Sequence, residues 1–340
     1  MTTAPLLEVN SLTLDYHLNG KKMRALDRVS FSLEKGQVMG VAGESGCGKS
    51  TMGMSIIGLL PRIAKIPRGE VVFEGEDLLR KSNRQMDKDI RGQKISMIFQ
   101  NPQNALNPVF KIGTQMTDAL KFRELNSRSG KHSSKSALYR MAIDQLRSTG
   151  ISDPEERIRN YPFEFSGGMK QRVMIAMALS SRTDLLIADE PTTALDLTIE
   201  AQILDLLMKL RGKYNTSILY ISHNLGVLSQ ISDRIMIMYA GRIFEMGSTH
   251  VVLGSPRHPY SSALLESLPG RHTKGKRLLS IPGHVPSLDQ LPSGCSFHPR
   301  CPFAEPECSI RTPELEMVAS DHWSACLLDQ KRGRQKWKWI

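Results

Sequence analysis

The sequence lacks any long apolar run, and no part of the 340-residue chain reaches the roughly 20 apolar residues that a membrane-spanning helix needs. Its N-terminus, MTTAPLLEVNSLTLDY, has neither the basic segment nor the apolar core of a secretory signal. It also lacks the bias of collagen-like or disordered chains, because 40% of its residues are hydrophobic and 23% are charged. We therefore expect a globular chain in the cytosol, with a large domain and a smaller one.

Acidic residues are fewer than basic ones, with 34 Asp and Glu against 45 Lys and Arg, and the net charge is +11. Such an excess suits an anionic partner, which could be a nucleotide, a nucleic acid or an acidic membrane surface. Most of this charge is scattered and predicts a solvated basic surface. Only the C-terminal QKRGRQKWKWI combines basic and aromatic residues in the pattern of a surface-seeking tail.

Cysteine is scarce, but four of the five cysteines lie close together at positions 295, 301, 308 and 326. A cytosolic location argues against disulfides, because that compartment keeps thiols reduced. Metal binding explains the clustering better than four inert thiols. Zinc sites usually have paired ligands two to four residues apart, whereas an iron–sulfur cluster takes one cysteine for each iron. The residues alone leave zinc and iron–sulfur open.

Residues 37–51 read QVMGVAGESGCGKST and fit the pattern G-x4-G-K-[ST] between a strand-like run and a segment with helical spacing. The glycines permit a loop whose backbone N–H groups point inward, which makes an anion site at a helix N-terminus. Lys49 would reach the β and γ phosphates of a nucleoside triphosphate, and Ser50 would bind Mg²⁺. The predicted nucleotide-binding residues here are Gly43, Ser45, Gly46, Cys47, Gly48, Lys49, Ser50 and Thr51, with Cys47 as a small residue at a variable position.

Polar residues stand at the ends of three further strand-like runs. DLLIADEP ends in Asp189, which suits a water-mediated hold on Mg²⁺, and Glu190, which suits polarising the attacking water. Gln100 ends ISMIFQ, and His223 lies at the end of the run in SILYISHNLG. Because open α/β sheets bind ligands at their strand ends, we expect these side chains near the phosphates.

A second helix start follows the phenylalanine-rich segment FEF. Ser166, Gly167 and Gly168 open a strongly apolar helical segment and present a hydroxyl group and free N–H donors. We expect this helix start to bind another face of a phosphate.

These motifs, in this order, resemble the ATP-binding subunits of ABC transporters over about residues 5–250. The resemblance identifies GESGCGKST as Walker A, FSGGM as the signature motif, LLIADE as Walker B and ALD, 194–196, as the D-loop. It implies a P-loop ABC ATPase fold of the α/β class with a helical subdomain. It also implies a catalytic role for Glu190, for the switch histidine His223 and for the Q-loop glutamine Gln100. The implied Mg²⁺ ligands are Ser50, Gln100 and Asp189. Tyr16 is expected to stack on the adenine, and the other implied ATP contacts are Ser166, Gly167, Gly168 and Asp196.

The signature motif departs from the family pattern at both ends. It begins with Phe165 instead of the commoner Leu and ends with Met169 instead of Gln. Neither change removes the serine or the two glycines, so we expect the phosphate-binding face to be kept.

Composition shifts after residue 250 towards proline and cysteine, which predicts a domain boundary. We expect a nucleotide-binding domain at 1–250, with the helical signature subdomain at about 101–170, and a small Cys/Pro-rich extension at 251–340. HPYSSALLESLPG, IPGHVPSL and GCSFHPRCPFAEPEC resemble the C-terminal extension of the ATPases of dipeptide, oligopeptide and nickel importers. This resemblance implies a [4Fe–4S] cluster on Cys295, Cys301, Cys308 and Cys326.

The resemblance implies the ATP-hydrolysing subunit of a bacterial importer, lying peripherally on the cytoplasmic face of the membrane. Its expected partners are a second, homologous ATPase, two membrane permease subunits and an extracellular or periplasmic substrate-binding protein. Dipeptide, longer peptide and nickel remain open as cargo, in that order. A soluble ABC ATPase acting on ribosomes or nucleic acid is the alternative, but such proteins typically carry two cassettes or a coiled-coil insertion, and this chain has one P-loop and neither feature. We therefore expect no nucleic-acid partner.

Overall fold

A computed structural model describes residues 4–18, 20–100, 105–126, 133–179, 183–193, 195–268, 281–333, 337 and 339. The strands in chain order are β1 (Leu7–Leu18), β2 (Lys21–Leu33), β3 (Val38–Ala42), β4 (Ala64–Phe73), β5 (Glu76–Asp77), β6 (Ile95–Ile98), β7 (Leu185–Asp189), β8 (Ser217–Ile221), β9 (Arg234–Tyr239), β10 (Arg242–Ser248), β11 (Glu316–Ala319) and β12 (His322–Ser324). The main helices are α1 (Lys49–Ile57), α2 (Ile112–Asn126), α3 (Lys135–Ser148), α4 (Gly167–Leu179), α5 (Leu197–Tyr214), α6 (Leu225–Ile231), α7 (Thr249–Gly254), α8 (Pro259–Glu266) and α9 (Leu327–Arg332). None of the helices formed by these residues has the length and apolarity that crossing a membrane requires.

The described chain forms two compact units. Unit 1 is discontinuous and contains Met1–Leu79 and Tyr220–Ile340, whereas unit 2 is the continuous segment Arg80–Leu219. The chain passes from unit 2 back to unit 1 within β8. The cysteine-rich segment therefore belongs to the same unit as the glycine-rich loop.

Unit 1 contains two sheet regions. The strands β2, β1, β4 and β5 form an antiparallel sheet in that order. The other region has the order β11-β12-β10-β9-β3, in which β3 pairs with β9 in parallel and the remaining pairs are antiparallel. Every residue of β3 is buried, as expected for a parallel strand covered on both faces.

Unit 2 combines a parallel strand pair with packed helices. In the strand pair β6–β7, Ile95 is opposite Leu185 and Ile98 is opposite Ala188. Helix α3 begins after the Ser134 cap and buries a stripe of apolar side chains against α2 and α4. The stripe consists of Leu138, Ala142 and Leu146.

The extension attaches to β10 through a buried carboxylate. Glu245, which is fully buried, accepts hydrogen bonds from the backbone N–H groups of Arg257 (2.7 Å) and His258 (2.9 Å), and its carboxylate lies 2.7 Å from the His322 Nε2 on β12. Arg257 also lies 2.8 Å from the carboxylate of Asp329 on α9. Because a buried carboxylate without partners is costly, these contacts fix the segments after β10 against the sheet.

His258 caps the helix that follows it. Its Nδ1 accepts the N–H of Tyr260 at 3.0 Å, and its ring packs on Phe244 with 4.5 Å between ring centroids. Burial lowers the pKa of His258 from 6.5 to about 3. The cap therefore requires the neutral ring, since a proton on Nδ1 removes the acceptor.

This histidine predicts a loss of stability in acid. Since its folded-state pKa lies below the unfolded value, the unfolded chain takes up the proton first, so stability is complete above about pH 6.5 and falls towards pH 3. The contribution is at most about 1.4 kcal/mol per pH unit. We expect His258→Asn, which can cap without titrating, to show a shallower fall of unfolding free energy than wild type between about pH 6.5 and 5 in urea denaturation. Equal slopes for the two proteins would contradict this role.

Candidate active site

The glycine-rich loop lies in unit 1 between β3 and α1. Gly43, Gly46 and Gly48 all have positive φ angles, of 150°, 81° and 103°. A Cβ atom at Gly43 would collide with the carbonyl oxygen of Met238 on β9 and would lie 2.7 Å from the Cys47 Sγ. The loop can therefore follow this path only with glycine at its first position.

Lys49 is buried at the start of α1 and turns back into the loop. Its Nζ donates to the carbonyl oxygens of Gly43 (2.8 Å) and Glu44 (3.0 Å) and lies 3.7 Å from the Cys47 Sγ. Burial raises the pKa of the Cys47 thiol, which favours its neutral form beside the ammonium group. The lysine charge is thus held where an incoming phosphate can replace carbonyl oxygens as its acceptor.

Other predicted residues of unit 1 lie around this loop. Ser45 and Gly46 are exposed, and Ser50 and Thr51 lie in the first turn of α1. The Tyr16 hydroxyl lies 3.2 Å from the Thr51 Oγ1, which places the predicted adenine-stacking ring beside that turn.

His223 directly follows a residue that is hydrogen-bonded to β3, the strand that precedes the glycine-rich loop. The backbone N–H of Ser222 donates to the Val41 carbonyl oxygen at 3.0 Å, and the exposed His223 follows directly. The predicted switch histidine is therefore located close to the C-terminal end of β3.

The predicted catalytic carboxylate lies in unit 2, directly after β7. Glu190 accepts hydrogen bonds from the Gln100 Nε2 at 3.0 Å and from the Thr193 Oγ1 at 2.9 Å. Its φ angle of 45° is unusual for a residue other than glycine. The preceding Asp189 is buried at the strand end. Unit 2 therefore brings Gln100, Asp189 and Glu190 together, as the sequence predicts.

The signature segment forms the N-terminus of α4, where the Ser166 Oγ accepts the Met169 N–H at 3.3 Å. Ser166 and Gly167 are exposed at the start of the helix, where the first N–H groups have no acceptor within the helix. A Cβ atom at Gly168 would meet the Ile199 side chain at 2.8 Å, close to Asp196, which caps α5 through the Ile199 N–H. The signature and D-loop residues thus adjoin within unit 2, although Ala194 lies outside the described residues.

The four clustered cysteines line one small cavity in unit 1, together with His258, Phe297 and apolar residues of α9. All are free thiols. Burial raises the pKa of Cys295 to about 11 and of Cys301 and Cys326 to about 12, so these thiols need a bound cation to ionise at neutral pH. Among the described residues, however, no group of three or more His, Cys, Asp or Glu side chains is arranged to hold a metal ion.

Sequence reasoning missed Thr193, which orients Glu190. The hydroxyl stands three residues after the carboxylate in DEPTT, and this spacing in a turn after a strand is the signal that could have indicated it. It also missed the contacts of Glu44, since that residue occupies a variable position of the motif.

Known proteins with similar sequences place the chain in a family. Residues 26–193 match the family model described as "ABC transporter", and residues 244–308 match "Oligopeptide/dipeptide transporter, C-terminal region". A probable peptide ABC transporter ATP-binding protein of Sinorhizobium fredii is 46% identical over 323 residues, which cover 94% of each chain. The chain belongs to the family of ABC transporter ATP-binding proteins.

Other members of the family agree with this assignment. The dipeptide transport ATP-binding protein DppD of Escherichia coli is 41% identical, over 94% of this ABC ATPase and 96% of its own length. A dimeric ATP-binding cassette in a post-hydrolysis state, bound to ADP and Pi, superposes with a TM-score of 0.63 at 25% identity, over 72% of this chain and 98% of that one. The predicted resemblance and the predicted ABC ATPase fold are therefore confirmed.

Proposed function

We propose that this ABC ATPase is the energy-coupling subunit of a bacterial importer for dipeptides or longer peptides. The observation that carries the proposal is the presence of two matches in one chain, the ATPase at 26–193 and the peptide-transporter C-terminal region at 244–308. Relatives named for dipeptide and oligopeptide transport support the same cargo. Nickel is the second candidate, from the resemblance of the extension alone.

In this proposal the described side chains bind the nucleotide and orient water. Lys49 and the loop N–H groups bind the phosphates. Ser50, Gln100 and Asp189 would hold Mg²⁺, which would supply positive charge to the phosphate oxygens. Glu190 accepts a proton from the attacking water, and Gln100 and Thr193 fix the direction of its carboxylate. His223 contacts the γ-phosphate, and Tyr16 stacks on the adenine.

The donors at the start of α4, Ser166–Gly168, are best used on a nucleotide held by another subunit, because a P-loop embraces one side of a triphosphate. ATP would then hold two ATPases together, and we propose a homologous second ATPase as the partner. The pair would lie on the cytoplasmic face of the membrane beneath two permease subunits, which receive cargo from a substrate-binding protein.

We further propose that the cysteine-lined cavity holds a [4Fe–4S] cluster with a structural role. Four thiols around one cavity provide one ligand for each iron, and a cluster needs them further apart than a single ion does, since zinc–sulfur bonds are only about 2.3 Å long.

Glu190→Gln tests the catalytic assignment. We expect ATP binding to persist while hydrolysis in the reconstituted transporter falls about 100-fold or more, because the amide cannot accept the proton. Lys49→Ala, in contrast, should lose ATP binding. Hydrolysis at the wild-type rate by Glu190→Gln would contradict the role of the carboxylate.

The composition of the purified complex tests the partner. We expect native mass measurement to find one copy of this chain and one copy of a different ABC ATPase for each pair of permeases. Two copies of this chain without a second ATPase would refute the heterodimer.

Colour and metal content test the cluster. We expect the anaerobically purified full chain to be brown, with broad absorbance near about 400 nm, and Cys301→Ser to lose this absorbance. Cys47→Ser is the matched control, since it changes the one cysteine outside the cavity, and should keep the colour. Colourless protein with stoichiometric zinc and no iron would exclude the cluster.

A further inference from the structure

The extension contacts the phosphate loop at Glu44, the residue after Gly43. All three polar groups of this residue are engaged. Its carboxylate accepts two hydrogen bonds from Arg300, its N–H donates to the Tyr260 hydroxyl at 3.0 Å, and its carbonyl oxygen accepts from the Lys49 Nζ. Glu44 therefore connects the phosphate-binding lysine to two residues that follow the ATPase match.

Arg300 is built into this position. Only 6% of its side chain is exposed, and its Nη1 and Nη2 donate to the two carboxylate oxygens of Glu44 at 2.7 and 3.0 Å. Its Nε donates to the Pro282 carbonyl oxygen at 2.8 Å, and Nη1 also reaches the Tyr239 hydroxyl at 3.2 Å. A planar guanidinium held on both edges has one orientation, and it imposes that orientation on its carboxylate partner.

Aromatic rings form a rigid base for these contacts. Tyr239, at the end of β9, packs against Tyr260 and Phe297 with ring centroids 4.8 and 5.4 Å apart. The guanidinium carbon of Arg300 lies 5.7 Å from the ring centroid of Tyr239 and 5.8 Å from that of Phe297. Because these rings are fully buried and in mutual contact, Arg300 and the Tyr260 hydroxyl have little freedom to move.

The pairing of Arg300 with Glu44 also neutralises a negative charge on the phosphate loop. A carboxylate on a loop that binds a triphosphate repels the ligand unless a cation neutralises it. The Glu44 side chain is 29% exposed, so water alone screens it only partly. Arg300 supplies the neutralising charge from the side of the protein interior.

We propose that Arg300 and Tyr260 are positioning residues of the ATP site, which hold Glu44 so that the loop N–H groups and Lys49 receive the triphosphate. The C-terminal extension then contributes to nucleotide binding, because both residues belong to it. This inference rests on the proposed binding of ATP at the P-loop and extends it to residues outside the nucleotide-binding motifs.

The test measures the affinity of the purified full chain for a fluorescent ATP analogue, with the melting temperature recorded separately. We expect Arg300→Gln to weaken binding about tenfold, because it leaves an unpaired carboxylate on the loop. Arg300→Lys should weaken it less, since a point charge neutralises Glu44 without the bidentate hold. Tyr260→Phe, which removes a single oxygen, should weaken it about threefold.

The double variant Glu44→Gln/Arg300→Gln separates positioning and neutralisation from mere stability. It removes the unpaired charge but not the loss of the bidentate hold, so we expect affinity to recover from about tenfold to about threefold below wild type even if the melting temperature stays low. Arg311→Gln is the matched control, because Arg311 lies in the same segment and pairs with Glu307 at the surface, with 60% of its side chain exposed. It should bind the analogue as wild type does.

A folded Arg300→Gln with a lowered melting temperature and wild-type affinity would overturn the inference. If that variant does not fold, Arg300→Lys and Tyr260→Phe decide, and wild-type affinity in both would overturn it. Failure of the wild-type chain to bind the analogue would overturn the proposed ATP site as well, whereas wild-type binding with unchanged variants would overturn only the inference.

Discussion

The close approach of the phosphate loop to strand β9 is the constraint on which the rest of the site depends. Gly43 lies against the Met238 carbonyl oxygen with no room for a side chain, and its φ angle of 150° suits glycine alone. The parallel pairing of β3 with β9 creates this approach and places Tyr239, the last residue of β9, beside the residues that hold Glu44. The direction of Lys49, the contacts of Glu44 and the burial of Arg300 all follow from this strand pair.

Features encoded by local sequence were predictable. The phosphate loop follows from the spacing of its glycines and Lys49, and the α3 stripe follows from the four-residue spacing of its apolar side chains. The nearness of Gln100 to Glu190 was also predictable, because both follow strands that the sequence marks as buried, and parallel strands align their carboxyl ends.

Contacts between charged residues distant in sequence were not predictable in this way. Arg300 is 256 residues from Glu44, and His322 is 77 residues from Glu245. The composition of these segments does not indicate which of the 34 acidic side chains will pair with a particular basic side chain. The cysteine-rich segment shows the same limit, since spacing indicated a shared site but not the arrangement of the thiols around one cavity. Such features depend on the tertiary fold, which periodicity does not determine.

The discontinuity of unit 1 has a consequence for the synthesis of the protein on the ribosome. Synthesis of the 256 residues that separate Glu44 from Arg300 takes roughly 10 to 50 s at ribosomal rates. For most of that interval β3 has been synthesised but β9 has not. The edge of β3 that pairs with β9 in the folded protein therefore has no partner strand during this time, although β3 is entirely apolar. Because unit 2 is continuous and precedes the second part of unit 1, its synthesis is complete before that of unit 1. A nascent chain can therefore complete the contacts around Glu44 only after Arg300 has been synthesised, close to the end of translation.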